Sequence, residues 1–183
     1  MYYHSIDAIF SAVQNCQLCP LARGRTKTVP GEGPINASVM LIGEGPGGEE
    51  DRTGRPFVGR AGKLLDGALK SIGTSRKDVF ITNVVKCRPP KNRVPTRSER
   101  ETCKNAYLMN QVDLIKPSLI ILLGRTATQT MLEENTLNKV RGRIIIHSGT
   151  KYLCTYHPAA VLRNPHLKGT LSRDLRKAVK ENT

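Results

Sequence analysis

The sequence contains no tryptophan, only three phenylalanines and five tyrosines, and about half as many acidic residues as basic ones. It also lacks any apolar run near the roughly 20 residues that a membrane-spanning helix needs. We therefore expect a soluble globular protein with no membrane partner. Its 183 residues are enough for one domain, residues 1–183, with a core of its own.

The first residues lack the features of a secretory signal peptide. Residues 1–16, MYYHSIDAIFSAVQNC, have neither a basic beginning nor an unbroken apolar stretch. We therefore expect a cytoplasmic protein. In that reducing compartment the five cysteines are better suited to bind a metal or to take part in catalysis than to form disulfides.

Basic residues outnumber acidic ones by 29 to 15, which gives a formal net charge of +14 at pH 7. This charge has two interpretations. It can serve solubility alone, or it can bind a nucleic acid, because lysine and arginine displace counterions from phosphates. The basic residues form no tail, so in either case the positive surface belongs to the folded body.

Apolar runs of strand length alternate along the chain with segments of helical periodicity. We predict strands at residues 39–42, 79–85, 119–123, 144–146 and 152–155, and helices near residues 5–13, 65–72, 98–115, 126–132 and 171–179. Uniformly apolar strands that alternate with helices form parallel sheets covered on both faces. The predicted fold is therefore α/β, a three-layer α/β/α sandwich with a central, mainly parallel sheet. Ser98 and Glu101 predict a capping box for the helix that ends before Pro117.

A loop rich in glycine and acidic residues follows the first predicted strand, where the ligand crevice of such sheets lies. Residues 43–51, GEGPGGEED, have the G-x-G-x-x-G spacing of a dinucleotide-binding loop. We reject that interpretation, because Pro46 has no N–H for a phosphate and four acidic residues lie within residues 44–51. Two interpretations remain open. The loop is a solvated acidic turn, or a carboxylate in it stabilises a developing cation or orients water.

Four of the five cysteines have a spacing that suits a metal centre. Cys16 and Cys19 form a C-x-x-C pair, Cys87 follows a predicted strand, and Cys103 lies in the next predicted helix. Such a set can hold an iron–sulfur cluster or zinc, or it can be a group of buried free thiols. Cys154 lies within a predicted strand and is expected to be a core thiol.

A histidine follows the last predicted strand. Residues 156–165, YHPAAVLRNP, place His157 at the base of an apolar and basic tip between two prolines. The pattern suits a wedge with a catalytic group at its base, and the alternative is a proline-rich turn with an incidental histidine.

These motifs together resemble those of the family 4 uracil-DNA glycosylases. Residues 44–51 and 54–65 are similar to the first motif of that family, residues 81–90 to its central motif, and residues 157–159 to its last. The resemblance covers nearly the whole chain. It implies the uracil-DNA glycosylase fold and a monofunctional enzyme of base excision repair. Such an enzyme flips uracil out of single- or double-stranded DNA, hydrolyses its N-glycosidic bond, and leaves an abasic site and free uracil.

The resemblance also implies roles for individual residues. Glu44 is expected to face the sugar cation and to position water, with Glu50 as a rival for that role. Asn83 is expected to read the edge of the base, and His157 to stabilise the departing uracil anion. The remaining contacts to uracil are expected from the ring of Phe57 and the backbone of Gly45.

For the DNA and the cofactor, the resemblance implies two further groups of residues. Leu162 and Arg163 are expected to form the wedge that fills the vacated base stack. A 4Fe–4S cluster, rather than zinc, is expected on Cys16, Cys19, Cys87 and Cys103. The chain lacks the basic insertion with an extra histidine that covalent-trapping relatives carry after the central motif. We therefore expect ordinary turnover without a covalent adduct. We also expect a monomer that is associated with the nucleoid.

One alternative comes from a different class of protein. A non-catalytic DNA-binding module with a four-cysteine scaffold explains the positive charge and the cysteines. It does not explain an acidic loop beside a DNA surface, where carboxylates weaken binding. A nucleotide-dependent oxidoreductase depends on the glycine spacing alone and is the weakest alternative.

Overall fold

The computed structural model describes residues 2–180 and contains one five-stranded sheet. The strands are β1 Val39–Gly43, β2 Phe80–Asn83, β3 Leu119–Leu123, β4 Ile144–His147 and β5 Thr150–Thr155. Their order is β2-β1-β3-β5-β4, and all neighbours are parallel except β4 and β5. This arrangement confirms the predicted, mainly parallel sheet.

Helices cover both faces of the sheet. They are α1 Ile6–Gln14, α2 Gly48–Thr53, α3 Arg60–Lys70, α4 Arg97–Cys103, α5 Met109–Ile115, α6 Arg125–Leu132, α7 Leu137–Val140, α8 Pro158–Arg163 and α9 Lys168–Lys180. A π-helical turn, Lys104–Leu108, joins α4 to α5. No helix within residues 2–180 is long and apolar enough to cross a membrane.

Two apolar clusters, one on each side of the sheet, make up the core. Alternate residues of a strand point to opposite faces. Accordingly, Met40 and Ile42 belong to the cluster that includes residues of α1 and α5, whereas Leu41 belongs to the cluster that includes residues of α3 and α9. Because both faces are covered, every residue of β1 and β3 is buried, which explains their uniformly apolar sequence.

The strand register brings the ends of neighbouring strands to one level. Gly43 of β1 pairs with Asn83 of β2, and Leu123 of β3 pairs with Thr155 of β5. The residues that follow these four strands therefore start from the same edge of the sheet. This edge is the predicted place for a ligand crevice.

The predicted capping box of Ser98 and Glu101 is wrong, because α4 starts earlier. Thr96 is the N-cap residue, and its hydroxyl accepts a hydrogen bond from the Glu99 N–H at 3.3 Å. The Glu99 carboxylate accepts from the Thr96 N–H at 2.7 Å and also binds both terminal nitrogens of the Arg93 guanidinium. Glu99 therefore has a second partner that stabilises this box, and Ser98 lies inside the helix.

Candidate active site

A cleft with a volume of about 650 Å³ opens where β1, β2, β3 and β5 end. This volume is typical of sites for small molecules. The residues for which sequence analysis predicted contact with uracil or the sugar all line it, and they are Glu44, Gly45, Phe57, Asn83 and His157. The structure therefore brings together side chains from four separate segments of the chain.

The Glu44 carboxylate lies at the start of the loop after β1 and is half-buried. The hydroxyl of Thr126, in the first turn of α6, donates a hydrogen bond to Glu44 Oε2. This contact orients the carboxylate, whose Oε1 accepts no hydrogen bond from residues 2–180 and can accept one from a ligand or water.

Glu50, the rival carboxylate, is buried and used within the protein. Its Oε1 accepts hydrogen bonds from the N–H groups of Val58 and Gly59 at 2.9 and 2.8 Å, and its Oε2 accepts from the Gly47 N–H at 3.1 Å. Glu50 thus ties the glycine loop to the start of α3. Asp51 is also buried and accepts from the Thr26 N–H at 2.8 Å. The interpretation as a solvated acidic loop is therefore wrong for both residues.

The Phe57 ring stands next to His157, with 5.6 Å between the ring centroids. Phe57 has a φ of 51°, in the left-handed region that a bulky residue rarely adopts. The Arg76 guanidinium donates to the carbonyl oxygens of Pro56 and Phe57, at 2.6 and 2.9 Å. A side chain at Gly62 would put its Cβ 1.8 Å from the Phe57 oxygen. Arg76 and a close approach by α3 therefore hold the strained residue in place.

The Asn83 side chain is almost fully buried at the end of β2, with 1% of the residue exposed. Its Oδ1 is buried and has no hydrogen-bond partner among residues 2–180. A buried acceptor left unsatisfied costs about 1–3 kcal/mol, so such an atom in a cleft indicates that a ligand or a water molecule supplies the donor. Gly43 makes room for it, because a Cβ there would lie 2.4 Å from Asn83 Oδ1.

His157 caps the N-terminus of α8 with its imidazole. Its Nδ1 accepts a hydrogen bond from the Ala159 N–H at 3.1 Å, which assigns the ring proton of the neutral form to Nε2. Burial, aided by the positive charge of Arg163, lowers the pKa of His157 to about 4, while Glu50 opposes this shift. The imidazole is therefore neutral at pH 7 and has one N–H to donate.

Positive charge surrounds the cleft. Arg93, Arg125 and Arg163 line it, and all three are exposed. Leu162, the other residue predicted for the wedge, lies beside Arg163 on α8 and is 38% exposed. The two predicted wedge residues are thus both accessible next to the cleft.

The four cysteines of the predicted metal centre line one small pocket, formed by α1, the segment after β2 and the end of α4. Arg25 donates a hydrogen bond to the Cys87 sulfur at 3.3 Å. Within residues 2–180, no group of three or more His, Cys, Asp or Glu side chains is placed to hold a metal ion. Cys154, predicted to be a core thiol, is fully buried in β5.

Comparison with known proteins places the chain in a family. The family model described as the uracil DNA glycosylase superfamily matches residues 30–181. This chain belongs to the uracil DNA glycosylase superfamily. The match includes every residue of the cleft described above, and it confirms the resemblance that the motifs predict.

Relatives within this superfamily are similar along nearly their whole length. A type-4 uracil-DNA glycosylase of Pyrobaculum aerophilum is 46% identical over 179 residues, covering 93% of this chain and 91% of the relative. A type-4 enzyme of Archaeoglobus fulgidus is 44% identical, with 94% and 91% covered. One of Thermotoga maritima is 43% identical, with 97% and 90% covered.

Sequence reasoning missed two residues that shape this glycosylase cleft. Thr126 follows β3 by three positions, so the rule that ligands bind beyond strand ends is a signal that points to it. Arg76 offers no such signal, since it lies 19 residues from Phe57 in a segment without a motif. Only the folded chain brings it to the carbonyl oxygens it binds.

Proposed function

We propose that this superfamily member excises uracil from DNA through the cleft described above, leaving an abasic site and free uracil. The enzyme is a DNA-repair glycosylase. The observation that carries the assignment of the cleft is the buried Asn83 Oδ1, which has no partner among residues 2–180 and lies in the same cleft as a carboxylate, an aromatic ring and a neutral imidazole.

Recognition of the base follows from the chemistry of the Asn83 amide. Its Oδ1 accepts from the uracil N3–H, and its NH₂ group donates to O4. Cytosine presents an acceptor and a donor in those two places, so it leaves both atoms of the amide mismatched. The Phe57 ring stacks on the extruded base, and the backbone at Gly45 contacts its edge.

Cleavage of the N-glycosidic bond separates charge, and the cleft holds a group for each sign. The neutral His157 donates its Nε2–H to O2 of uracil and stabilises the departing anion. The Glu44 carboxylate faces the oxocarbenium-like sugar and orients a water molecule. That water adds its oxygen to C1′, the glycosidic electron pair leaves with uracil, and the released proton neutralises the uracil anion.

Hydrogen bonding supports Glu44 rather than Glu50 in this role. Glu50 uses both of its oxygens to accept from backbone N–H groups, so it has less capacity to orient water. Glu44 is bound by Thr126 through one oxygen. A carboxylate held at one oxygen keeps the other for the substrate.

The exposed Leu162 and the arginines around the cleft support binding of DNA as a strand. Leu162 enters the gap that the extruded nucleotide leaves, and Arg163 contacts the backbone beside it. A single chain supplies the whole cleft, and the enzyme acts as a monomer on single- or double-stranded DNA. It turns over without a covalent adduct.

We further propose that Cys16, Cys19, Cys87 and Cys103 hold a 4Fe–4S cluster. All four line one pocket, and cysteine thiolates are the ligands that such clusters take. The Arg25 hydrogen bond to Cys87 suits an anionic thiolate. Hydrolysis moves no electrons, so the cluster would fasten the N-terminal segment to residues 87 and 103.

The test is strand cleavage at uracil. Cluster-replete protein is incubated with a single-stranded oligonucleotide containing one uracil and then with alkali, which cuts at abasic sites. We expect a cut at the uracil and none in a matched cytosine oligonucleotide. Asn83→Asp should weaken the preference for uracil over cytosine about 10- to 100-fold. If the wild type leaves the strand intact, the chain is a binding module; if Asn83→Asp keeps full preference, Asn83 does not read the base.

A further inference from the structure

A second apolar side chain stands at the mouth of the cleft, apart from Leu162. Val94 lines the cleft and is 54% exposed. A single exposed valine is ordinary on a protein surface. Val94, however, lies beside a site proposed to receive a nucleotide from DNA, where an apolar side chain can contact the bases.

The loop that carries Val94 is held rigidly. Lys91 and Asn92 both have left-handed backbone, with φ values of 52° and 54°, and such strain concentrates at functional sites. Arg88 donates to the Asn92 side chain at 2.8 Å, and Arg93 makes two hydrogen bonds to Glu99, at 2.8 and 2.7 Å. The loop therefore presents Val94 in a fixed position, as a wedge requires.

Sheet topology separates Val94 from Leu162. The Val94 loop follows β2, whereas α8 with Leu162 follows β5, and β1 and β3 lie between those strands. Val94 thus lines the cleft, whereas Leu162 lies beside the cleft-lining Arg163, on a segment that leaves the sheet at a different place.

Positive charge accompanies Val94, as it does Leu162. The loop contains Arg88, Lys91 and Arg93, and the last two are exposed. An apolar side chain among cations that faces a nucleotide site fits a nucleic acid, whose bases are apolar on their faces and whose backbone is anionic.

We propose that Val94 is a second DNA wedge. It packs against the base stack of a duplex next to the extruded uridine, on the side opposite to Leu162. Extrusion exposes stacked bases on both sides of the gap, and one inserted leucine covers only part of them. Lys91 then contacts phosphate. This inference depends on the proposed function, since it needs DNA in the cleft.

The experiment compares duplex and single-stranded substrates of one sequence under single-turnover conditions. Because only a duplex has a paired, two-stranded stack to open, Val94→Ser should lower the excision rate on duplex about tenfold and leave the single-stranded rate nearly unchanged. Val94→Ile, which keeps an apolar side chain, should restore the duplex rate. Fluorescence of 2-aminopurine next to the uracil should show less extrusion with Val94→Ser.

Ile146→Ser is the matched control, because Ile146 is 73% exposed on β4 and does not line the cleft. Its duplex rate should equal that of the wild type. Equal losses on duplex and single strand with Val94→Ser, or a duplex rate unchanged from the wild type, would overturn the inference. Failure of the wild type to cut any uracil strand would instead overturn the proposed function.

Discussion

The cleft and the cysteine pocket adjoin the same short segment, residues 83–87, but they depend on different contacts. Asn83 lines the cleft, whereas Cys87 lines the pocket. The groups of the cleft are fixed by hydrogen bonds within the protein, such as those from Thr126 to Glu44 and from Ala159 to His157. The cysteines come from separate segments, and an external group would join them.

Lys86 connects the two regions. Its buried Nζ donates to the Asn83 carbonyl oxygen at 2.8 Å and to Gln111 at 2.7 Å, and Cys87 is the next residue. The fold thus preorganises the cleft, whereas the proposed cluster would complete the pocket. Variants in the two regions should therefore fail in different ways.

The largest effect is expected in the cleft, at Glu44. Glu44→Gln should lower the single-turnover excision rate about 10²- to 10³-fold, because a neutral amide does not stabilise the sugar cation. Affinity for uracil-containing DNA and iron content should change little, because glutamine keeps the size of the side chain and Glu44 is not among the residues that line the cysteine pocket. Quenched-flow kinetics, fluorescence anisotropy and iron analysis measure these three quantities.

Glu50→Gln is the matched variant. It should lower the free energy of unfolding by about 2 kcal/mol through weaker hydrogen bonds to backbone N–H groups, with a smaller loss of rate. A greater loss of rate with Glu50→Gln than with Glu44→Gln, in fully folded protein, would reverse the assignment of the working carboxylate.

In the cysteine pocket, a substitution should affect iron content and stability more than the excision rate. Cys16→Ser should lower the iron content below the roughly four atoms per chain expected for the wild type. It should also make the N-terminal segment more sensitive to limited proteolysis. Its excision rate should fall less than that of Glu44→Gln at a temperature where the protein stays folded. Cys154→Ala, which alters a buried thiol outside the pocket, should keep full iron content; a loss of iron there would contradict the proposed ligand set.

A smaller loss of activity is expected when the strained Phe57 loses the contacts that hold it. Arg76→Ala removes the guanidinium from the Pro56 and Phe57 carbonyl oxygens, so the ring loses its fixed position. We expect KM to rise about tenfold with a smaller change in kcat, because ground-state stacking on uracil weakens. Inhibition by free uracil should weaken in parallel. Unaltered uracil inhibition would show that Arg76 does not position the ring.

The smallest effect is a dependence on pH. The pKa of His157 is about 4 in the folded protein against an ordinary value of 6.5. Between these values the unfolded chain binds a proton that the folded protein does not, so stability should fall as pH drops from 6.5 to 4. NMR of His157 should show no titration near pH 6.5, and Arg163→Gln should raise its pKa. Titration near pH 6.5 in the wild type would contradict the neutral imidazole at that pH.

Local sequence patterns predicted the sheet and most of the helices. The strands 39–42 and 119–123 were identified because buried parallel strands are uniformly apolar. The six-residue helices Gly48–Thr53 and Pro158–Arg163 were not predicted, since they are too short to show helical periodicity. The local pattern predicts the capping box two residues late, because it does not reveal the Arg93 contact that stabilises the box of Thr96 and Glu99.

Motifs and apolar periodicity are local properties of the chain, so they are enough to predict the fold class, the family resemblance and the residue types that carry the chemistry. The contrast in hydrogen bonding between Glu44 and Glu50 arises on folding, since backbone N–H groups from residues 47, 58 and 59 then reach the Glu50 carboxylate. Folding also leaves Asn83 Oδ1 without a partner within residues 2–180 and brings Arg76 to Phe57. Hydrogen bonds between distant segments decide such matters, and they exist only once the chain has folded.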